Sequence, residues 1–363
     1  MGMPVDLGEG ASSPIGSVRC GAVPSPYFLA PINTGFATNG AVNQRVLRFY
    51  SQRSGRGIGV CYVGNVAVAD RYRTNAGTLS MSCKDGNLYR LAHVIAGNGS
   101  VPGLQLACDV SAIPAVREWV NPDVPTYVKR AQDELGAVPR QELESIAHAF
   151  VEGARTSVEA GFGAVQIHAA HGYLLSGLMS RTLNKRADNF GGDRLLLLKT
   201  IVTEMRRLFP RLIIDVRISM LEGLDAREAE VEDKSRLIRE LVSLPLDIIS
   251  ISNGMYNVDK RYIYPPREFG HHPFLDMVLP FARDFPRVTW NVVGNIWDLR
   301  LLPPEIPRNV TVSIGRALIA DPMLIERSRA SQFADIRFCT ACCGCHYYMG
   351  GRSTLSCSVN GEV

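Results

Sequence analysis

The feature of this 363-residue sequence that most limits its fold is a series of short apolar runs, each followed by a stretch with helical periodicity. The runs are apolar throughout, which is typical of strands that are covered on both faces in a parallel sheet. Eight such runs cover residues 27–30, 58–63, 104–107, 164–168, 212–218, 248–251, 288–293 and 310–314. Eight strand–helix alternations predict a closed α/β barrel, the (β/α)8 or TIM barrel.

The stretches between the runs have the periodicity of amphipathic helices. The clearest covers residues 140–160, where Leu143, Ile146 and Phe150 recur at steps of three and four. Further helices are expected to begin near Asn43, Asp85, Asp193, Val231, Pro273 and Pro322, with a short one after Gly294. A doubly wound open sheet is the alternative, but it would usually carry a G-x-G-x-x-G turn, and none occurs in this sequence.

Composition excludes several functional classes. The net charge is only +4, and the 39 basic and 35 acidic residues are mixed along the chain, so no nucleic-acid-binding patch is expected. Apolar runs are too short to span a membrane, and residues 1–21 do not resemble a secretory signal. We therefore expect a cytoplasmic protein, a homo-oligomer, divided into a flexible leader (1–25), a barrel (26–335) and a cysteine-rich segment (336–363).

Polar and glycine residues follow the apolar runs, at the carboxyl ends of the predicted strands. Active sites of barrels of this kind are built at those ends. The side chains and glycines found there are Pro31, Ile32, Asn33, Asn65, Gln105, His168, His171, Tyr173, Arg217, Gly294, Asn295, Gly315 and Arg316. Two histidines three residues apart just after a strand can direct two N–H donors at one oxygen, which would stabilise negative charge developing there.

Four segments resemble the Old Yellow Enzyme family of FMN-dependent ene-reductases. They are APIN at 30–33, IHAAHGYLL at 167–175, NKRADNFGG at 184–192 and GRALIADP at 315–322. The resemblance extends from about residue 26 to the end of the sequence. It implies an FMN-dependent oxidoreductase in which His168 and His171 hold the activating carbonyl of a substrate and Tyr173 protonates its α-carbon.

The resemblance also implies a flavin site. Arg217 would face the N1/O2 edge of the flavin and Gln105 its pyrimidine edge, while Asn33 and the backbone at Asn65 would lie on the O4/N5 side. Relatives more often carry Thr, Cys or His at the position of Asn33, which leaves the reaction open. Pro31 and Ile32 belong to the same loop, and Gly294, Asn295, Gly315 and Arg316 would bind the phosphate. The loop 253–272 is expected to cover the site, with Tyr256 and Tyr264 contacting substrate.

The spacing Cys339-x2-Cys342-x2-Cys345-x11-Cys357 is a second motif. It resembles the [4Fe–4S] motif of an iron–sulfur subgroup that includes 2,4-dienoyl-CoA reductases, 2-enoate reductases and trimethylamine dehydrogenase. Four thiolates are the usual ligands of such a cluster. A zinc site and a degenerate or disulfide-prone remnant are the alternatives. Cys343 is a spare thiol, and His346 is a less favoured ligand.

These motifs favour reduction of a C=C bond in a small unsaturated carbonyl compound, acid or thioester. Oxidation of an amine or of a C–C bond is the second hypothesis, although amine-oxidising relatives carry Tyr at the position of His168. A non-redox barrel or an electron-carrier module, with a vestigial flavin site, is the third. Relatives with the cysteine motif usually continue into FAD- and NAD(P)H-binding domains, whereas this sequence stops six residues after Cys357. Either those domains have been removed or electrons come from a separate protein.

Overall fold

The computed structural model describes residues 23–83 and 87–363. The predicted leader lies outside the described residues except for its last three positions, and so does the predicted helix start at Asp85. Among the described residues, the strands are β1 (Tyr27–Leu29), β2 (Val60–Ala67), β3 (Leu79–Ser80), β4 (Val101–Ala107), β5 (Ala164–Ala169), β6 (Ile213–Ser219), β7 (Ile248–Ser252), β8 (Thr289–Val293) and β9 (Val310–Ile314).

The strands form one parallel sheet that closes on itself. Its order is β1-β9-β8-β7-β6-β5-β4-β2-β3, and β1 also pairs with β2, where Leu29 lies opposite Cys61. The eight predicted strands are therefore confirmed as a (β/α)8 barrel. The additional strand, β3, has two residues and pairs only with the end of β2. It was not predicted because two residues have no periodicity to recognise.

Helices lie between the strands, as the sequence predicted. They are α1 (Gln44–Arg53), α2 (Asn87–Gly97), α3 (Val124–Ala137), α4 (Arg140–Glu159), α5 (Leu174–Met179), α6 (Asn189–Gly192), α7 (Leu196–Leu208), α8 (Arg227–Leu241), α9 (Leu275–Asp284), α10 (Arg316–Ala320) and α11 (Leu324–Arg329). The apolar stripe of α4 is buried, as its periodicity required. At the start of α1, the Asn43 side chain accepts a hydrogen bond from the Val46 amide over 3.1 Å.

The interior of the barrel has an apolar end and a polar end. Towards the amino-terminal ends of the strands, a small apolar cluster is formed by Val23, Phe28, Val60, Tyr62, Ala164, Ile213 and Ile248. Two residues further along several strands, polar side chains point into the same interior, because alternate residues of a strand share a face. Gln166, Asp215, Ser250, Asn291 and Thr311 form this polar layer, and each is at most 1% exposed.

The cysteine-rich segment packs across the barrel without regular secondary structure. Residues 336–363 contain no helix and no strand. The Leu355 amide donates to the Thr34 carbonyl over 2.8 Å, and the Asn360 side chain donates to the Ile319 carbonyl over 2.9 Å. These bonds tie the segment to the carboxyl end of β1 and to α10. Within the described chain, no helix is both long enough and apolar enough to cross a membrane.

Candidate active site

A cavity of about 560 Å³ opens at the carboxyl ends of the barrel strands. Small-molecule and cofactor sites usually have volumes of about 300–1,000 Å³. The sequence-predicted residues that line it are Pro31, Ile32, Asn33, Asn65, Gln105, His168, His171, Tyr173, Arg217, Tyr256, Tyr264, Gly294, Asn295, Gly315 and Arg316. The structure therefore brings all of the predicted flavin and substrate residues to one cavity.

The two histidines are buried and uncharged. Burial, reinforced by the nearby Arg217 guanidinium, holds the pKa of both imidazoles well below the usual value. Their rings meet edge to face with centroids 5.1 Å apart. Nδ1 of His168 accepts a hydrogen bond from the Ala170 amide over 3.3 Å, so the proton of this neutral ring is on Nε2.

His171 is held in an unusual backbone conformation. Its φ is +64°, a left-handed value that non-glycine residues rarely adopt. The His171 amide donates to Ser219 Oγ over 3.0 Å, and its carbonyl accepts from the Tyr256 amide over 3.2 Å. These two bonds fix the backbone, so the imidazole is directed by the fold around it.

Ser252 connects His171 to Arg217. The guanidinium of Arg217 donates to Ser252 Oγ over 3.0 Å, and the same oxygen lies 2.8 Å from His171 Nε2. Ser252 Oγ has one proton and two lone pairs, so it can donate to an unprotonated His171 Nε2 or accept from a protonated one. In the first arrangement the ring proton of His171 is on Nδ1. His168 Nε2 and His171 Nδ1 make no hydrogen bond to the described residues.

The Tyr173 hydroxyl lies in the same cavity. Tyr173 stacks against His168 with ring centroids 4.4 Å apart, and its oxygen accepts from the Asn65 side-chain amide over 3.2 Å. Burial raises the pKa of Tyr173 well above the usual value. The phenol therefore stays protonated at neutral pH. In an acid–base reaction at that pH it can give up a proton but cannot take one up.

Arg217 is a buried cation whose Nε has no hydrogen-bond partner in the described structure. Its side chain is buried, and burial lowers its pKa while leaving it a cation at neutral pH. A buried guanidinium with a free donor fits an acceptor on a bound group. This orphaned Nε is the structural feature that best fits the electron-rich edge of a flavin in the cavity.

The walls around Gln105 and Asn33 are closely packed. A Cβ on Gly64 would lie 2.8 Å from the Gln105 Cβ, so only glycine allows β2 to approach β4 this closely. The Asn33 amide donates to Thr78 Oγ1 over 2.9 Å and to Thr74 Oγ1 over 3.2 Å, and its oxygen accepts from the Gly35 amide. Asn33 lines the cavity with its polar atoms already bonded to protein.

The predicted phosphate end has a rigid backbone. Asn295 has a left-handed φ of +52°. Its side-chain amide donates to the backbone carbonyls of Pro266 and Gly270. Arg316 donates to Asn295 Oδ1 over 2.8 Å. A Cβ built on Gly315 would meet only Ala30, at 3.7 Å, so the backbone here borders open space. An exposed backbone beside a guanidinium fits a phosphate group.

Aromatic side chains form the wall opposite the histidines. Tyr256 packs against His171, with ring centroids 5.9 Å apart, and its hydroxyl lies 3.3 Å from that of Tyr264. His346 packs against Tyr264 at 4.6 Å and, with Tyr347, lines the large cavity. The sequence offered His346 as a less favoured metal ligand beside the cysteines. His346 does not line the smaller cavity that those cysteines surround.

The four cysteines of the predicted cluster motif surround one small cavity. Cys339, Cys342, Cys345 and Cys357 all line it, together with the spare Cys343. The described cysteines are free thiols, and the described residues include no group of three or more Cys, His, Asp or Glu side chains placed to hold a metal ion. In a four-iron cluster each thiolate binds a different iron, so its ligands stand further apart than those of one ion. A shared cavity ringed by four thiols fits a cluster of this kind.

The two cavities share a wall. Arg316, Ile319, Cys339 and Cys345 line both of them. Arg316 donates to Cys343 Sγ over 3.0 Å and to the Pro265 carbonyl over 2.6 Å. Burial raises the pKa of Cys345 to about 12, and the Arg316 guanidinium acts in the opposite direction. A group held by the cysteines would thus be separated from the large cavity by single side chains.

The sequence reasoning missed several residues that support the site. Gln166 and Asp215 were included in apolar strands and Ser252 was placed directly after one, and none of the three was given a role. A signal was present, because polar residues recur at every second position of β5, β6 and β7 in otherwise apolar runs. Such a pattern indicates a polar barrel interior. Thr74 and Thr78 gave no signal, because they lie in a loop far from any motif.

Comparison with known proteins identifies relatives along most of the chain. An NADH oxidase of Thermoanaerobacter brockii is 26% identical over 357 residues, covering 92% of this chain and 53% of the relative. A cinnamate reductase of Clostridium sporogenes is 26% identical, covering 92% and 55%. An NADPH dehydrogenase of Geobacillus sp. is 29% identical over 289 residues, covering 75% and 79%. The chain thus spans about half the length of the first two relatives.

Solved structures share the fold. A 2-naphthoyl-CoA reductase complex superposes with a TM-score of 0.77 at 19% identity, covering 98% of this chain and 57% of that one. The histamine dehydrogenase of Rhizobium sp. 4-9 superposes with a TM-score of 0.73 at 17% identity, covering 97% and 52%. A family model matches residues 29–333. That match begins at the last residue of β1, continues past β9 and includes the cavity residues that follow the strands, so this chain belongs to the NADH:flavin oxidoreductase / NADH oxidase family.

Proposed function

We propose that this protein uses FMN to reduce a C=C bond conjugated to a carbonyl group in a small molecule. The observation that carries the proposal is the meeting, in one cavity, of two neutral histidines, a protonated tyrosine and a buried arginine. Cinnamate and 2-naphthoyl-CoA reductases among the similar proteins have names that point to unsaturated carbonyl substrates. The same chemistry is proposed for this chain.

The cavity residues divide into a cofactor set and a substrate set. Arg217 and Gln105 would hold the pyrimidine ring of FMN, with Pro31, Ile32, Asn33 and Asn65 beside it. Gly294, Asn295, Gly315 and Arg316 would hold its phosphate. Reduced FMN, when bound, supplies a hydride from N5 to the β-carbon of the substrate.

His168 and His171 would bind the substrate carbonyl oxygen. His168 has a free Nε2–H, and His171 would offer its Nδ1–H with Ser252 donating to its Nε2; both rings are neutral. Two preorganised N–H donors in a buried cavity stabilise the negative charge that develops on that oxygen. Because the rings carry no charge, they would not strongly bind a substrate that is already an anion. They would instead stabilise the negative charge that forms on the carbonyl oxygen during the reaction.

Tyr173 would supply the proton to the α-carbon. Its hydroxyl is protonated, buried and held by Asn65, so the proton is delivered from a fixed position. Tyr256 and Tyr264 would contact the rest of the substrate. Their rings would exclude water from the wall that faces His171.

The cysteines would hold a [4Fe–4S] cluster, which supplies electrons one at a time. The wall shared by the two cavities supports this assignment, because a carrier there would lie next to the FMN site. A separate electron-donor protein that docks near Cys342, the exposed cysteine of the set, is part of the proposal.

Anaerobic purification followed by an absorption spectrum and iron, zinc and FMN analyses provides the first test. Flavin bands with stoichiometric FMN and a broad iron–sulfur shoulder are expected. The dithionite-reduced protein is then mixed with 2-cyclohexenone, and recovery of the flavin band with formation of cyclohexanone supports the proposal. A reduced protein that stays reduced with enones, while the oxidised form is bleached by a secondary amine, would instead favour the oxidative alternative.

A further inference from the structure

Inside the barrel, three polar side chains on neighbouring strands form a hydrogen-bonded row. Gln105 on β4 lies opposite Gln166 on β5, which lies opposite Asp215 on β6. Gln105 Nε2 donates to Gln166 Oε1 over 2.7 Å, and Gln166 Nε2 donates to Asp215 Oδ2 over 2.6 Å. The three residues are between 0% and 3% exposed. Only Gln105 reaches the wall of the large cavity.

The carboxylate determines the direction of the row. An ionised carboxylate can only accept hydrogen bonds, so Gln166 must turn its NH2 group towards Asp215. Its carbonyl oxygen then faces Gln105, which must in turn present its own NH2 group. The carbonyl oxygen of Gln105 is consequently left for the cavity. Among the described residues, that oxygen makes no hydrogen bond.

The charge on Asp215 is maintained by its surroundings. Tyr62 OH donates to Asp215 Oδ2 over 2.8 Å and Ser250 Oγ over 2.9 Å, and both bonds favour the anion. Burial, the largest influence, raises the pKa of Asp215 to about 6, and the Arg217 guanidinium acts in the opposite direction. The carboxylate is therefore charged at pH 7.5.

We infer that Asp215 and Gln166 are positioning residues that fix the amide orientation of Gln105, so that its carbonyl oxygen accepts the N3–H of bound FMN. The inference rests on the proposed function, because it requires the flavin pyrimidine ring to lie at Gln105. Without a fixed acceptor at one end, the side-chain amides of Gln105 and Gln166 could both turn over. Gln105 would then present its NH2 group, in place of its carbonyl oxygen, to the N3–H of the flavin. The Asp215 carboxylate prevents this reversed orientation.

The test uses FMN labelled with 15N at N3, bound to the purified protein at pH 7.5. In the wild type, the N3–H proton should give an NMR signal that exchanges slowly with water. The signal should be lost in Gln105→Ala, and also in Gln166→Met and Asp215→Leu, which keep Gln105 but remove a member of the row or its terminal acceptor. The dissociation constant of FMN should rise about tenfold in each variant, as expected for one lost hydrogen bond.

Tyr62→Phe is the matched control. It removes one neutral donor from the same Asp215 oxygen, and the Tyr62 hydroxyl makes no hydrogen bond to Gln105 or Gln166, so the N3–H signal should persist and the FMN dissociation constant should change less than about twofold. Thermal unfolding of every variant verifies folding, and if Asp215→Leu does not fold, Gln166→Met decides the question without altering any charge.

The possible failures are distinct. A signal lost in Gln105→Ala but retained in Gln166→Met and Asp215→Leu would overturn the orienting role and leave the FMN site standing. A wild-type protein that binds no FMN, or a signal that survives Gln105→Ala, would overturn both the orienting role and the proposed flavin contact.

Discussion

The side-chain amide of Asn65 donates a hydrogen bond to the Tyr173 hydroxyl over 3.2 Å, and both residues are buried. Since the phenol oxygen accepts in this contact, its own proton remains available to a ligand in the cavity. The contact thus orients the phenol without using its proton. It leads directly to a prediction about turnover.

Tyr173→Phe should lower the turnover of an enone substrate by about 10²-fold or more, because general acid catalysis contributes roughly that much. FMN content should be unchanged. Rapid-mixing measurements of flavin reoxidation at several enone concentrations separate binding from the chemical step. Asn65→Ala, which keeps the phenol but releases it, should cause a smaller loss of about tenfold. Full activity in Tyr173→Phe would show that the proton comes from elsewhere.

The histidine pair should make stability depend on pH. Burial lowers the pKa of His168 and His171, so below about pH 6.5 the unfolded chain binds protons that the folded chain does not. Their contribution is therefore intact above that pH and is lost as pH falls. At pH 5.5 the two residues should together cost about 2–3 kcal/mol of unfolding free energy.

The control for this pH effect is the variant His168→Gln/His171→Gln. Chemical unfolding between pH 5.5 and 8 should show a shallower decline in the variant than in the wild type. Asp215 works in the opposite direction, since its raised pKa favours the folded state at lower pH, and it is present in both proteins. Parallel pH profiles would mean that the histidines titrate normally in the folded protein.

The cysteine motif predicts which thiols retain iron. Cys345→Ser should lose most of the bound iron, because Cys345 lines the shared wall of both cavities, whereas Cys343→Ser should retain it. Iron analysis and the visible absorption shoulder measure the outcome, and FMN content serves as the internal reference. Equal iron loss in both variants would make Cys343 a ligand. Zinc in place of iron in the wild type would contradict the cluster.

A buried ion pair supports the loop that follows β6. Lys234 Nζ lies 2.6 Å from Glu222 Oε1, and both side chains are at most 5% exposed. Lys234→Met should destabilise the protein by about 3–5 kcal/mol, because it leaves an unpaired buried carboxylate. Arg236→Ala, which breaks the exposed pair with Glu232 on the same helix, should cost less than about 0.5 kcal/mol. Denaturant titration distinguishes the two, and similar losses would refute the assignment.

The fold was predictable because its strands are covered on both faces and read as apolar runs. Helices were predictable only where one face is buried. In α3 the buried residues are Tyr127, Ala131 and Leu135, one per turn among polar neighbours, so the stripe is too narrow to stand out. All six residues of α5 are buried, which removes the periodicity altogether.

The location of the site was predictable from strand ends, but its internal bonding was not. His168 and Arg217 face each other because β5 and β6 pair in one register, and a sequence does not state its register. Ser252 is an ordinary residue type whose connecting role arises only when β7 is placed beside β6. Contacts that depend on three strands at once have no local signature.

His346 and Tyr347, which lie between the cysteines Cys345 and Cys357 in sequence, also line the large cavity. The spacing of the cysteines and the shape of the large cavity therefore both depend on one short segment of the chain. A mutation that adapts the pocket to a new molecule acts on the same segment that must present thiols at fixed intervals. With the proposed cluster bound to this segment, substrate range and electron supply would have to evolve together, and an engineer who changes one would have to redesign the other.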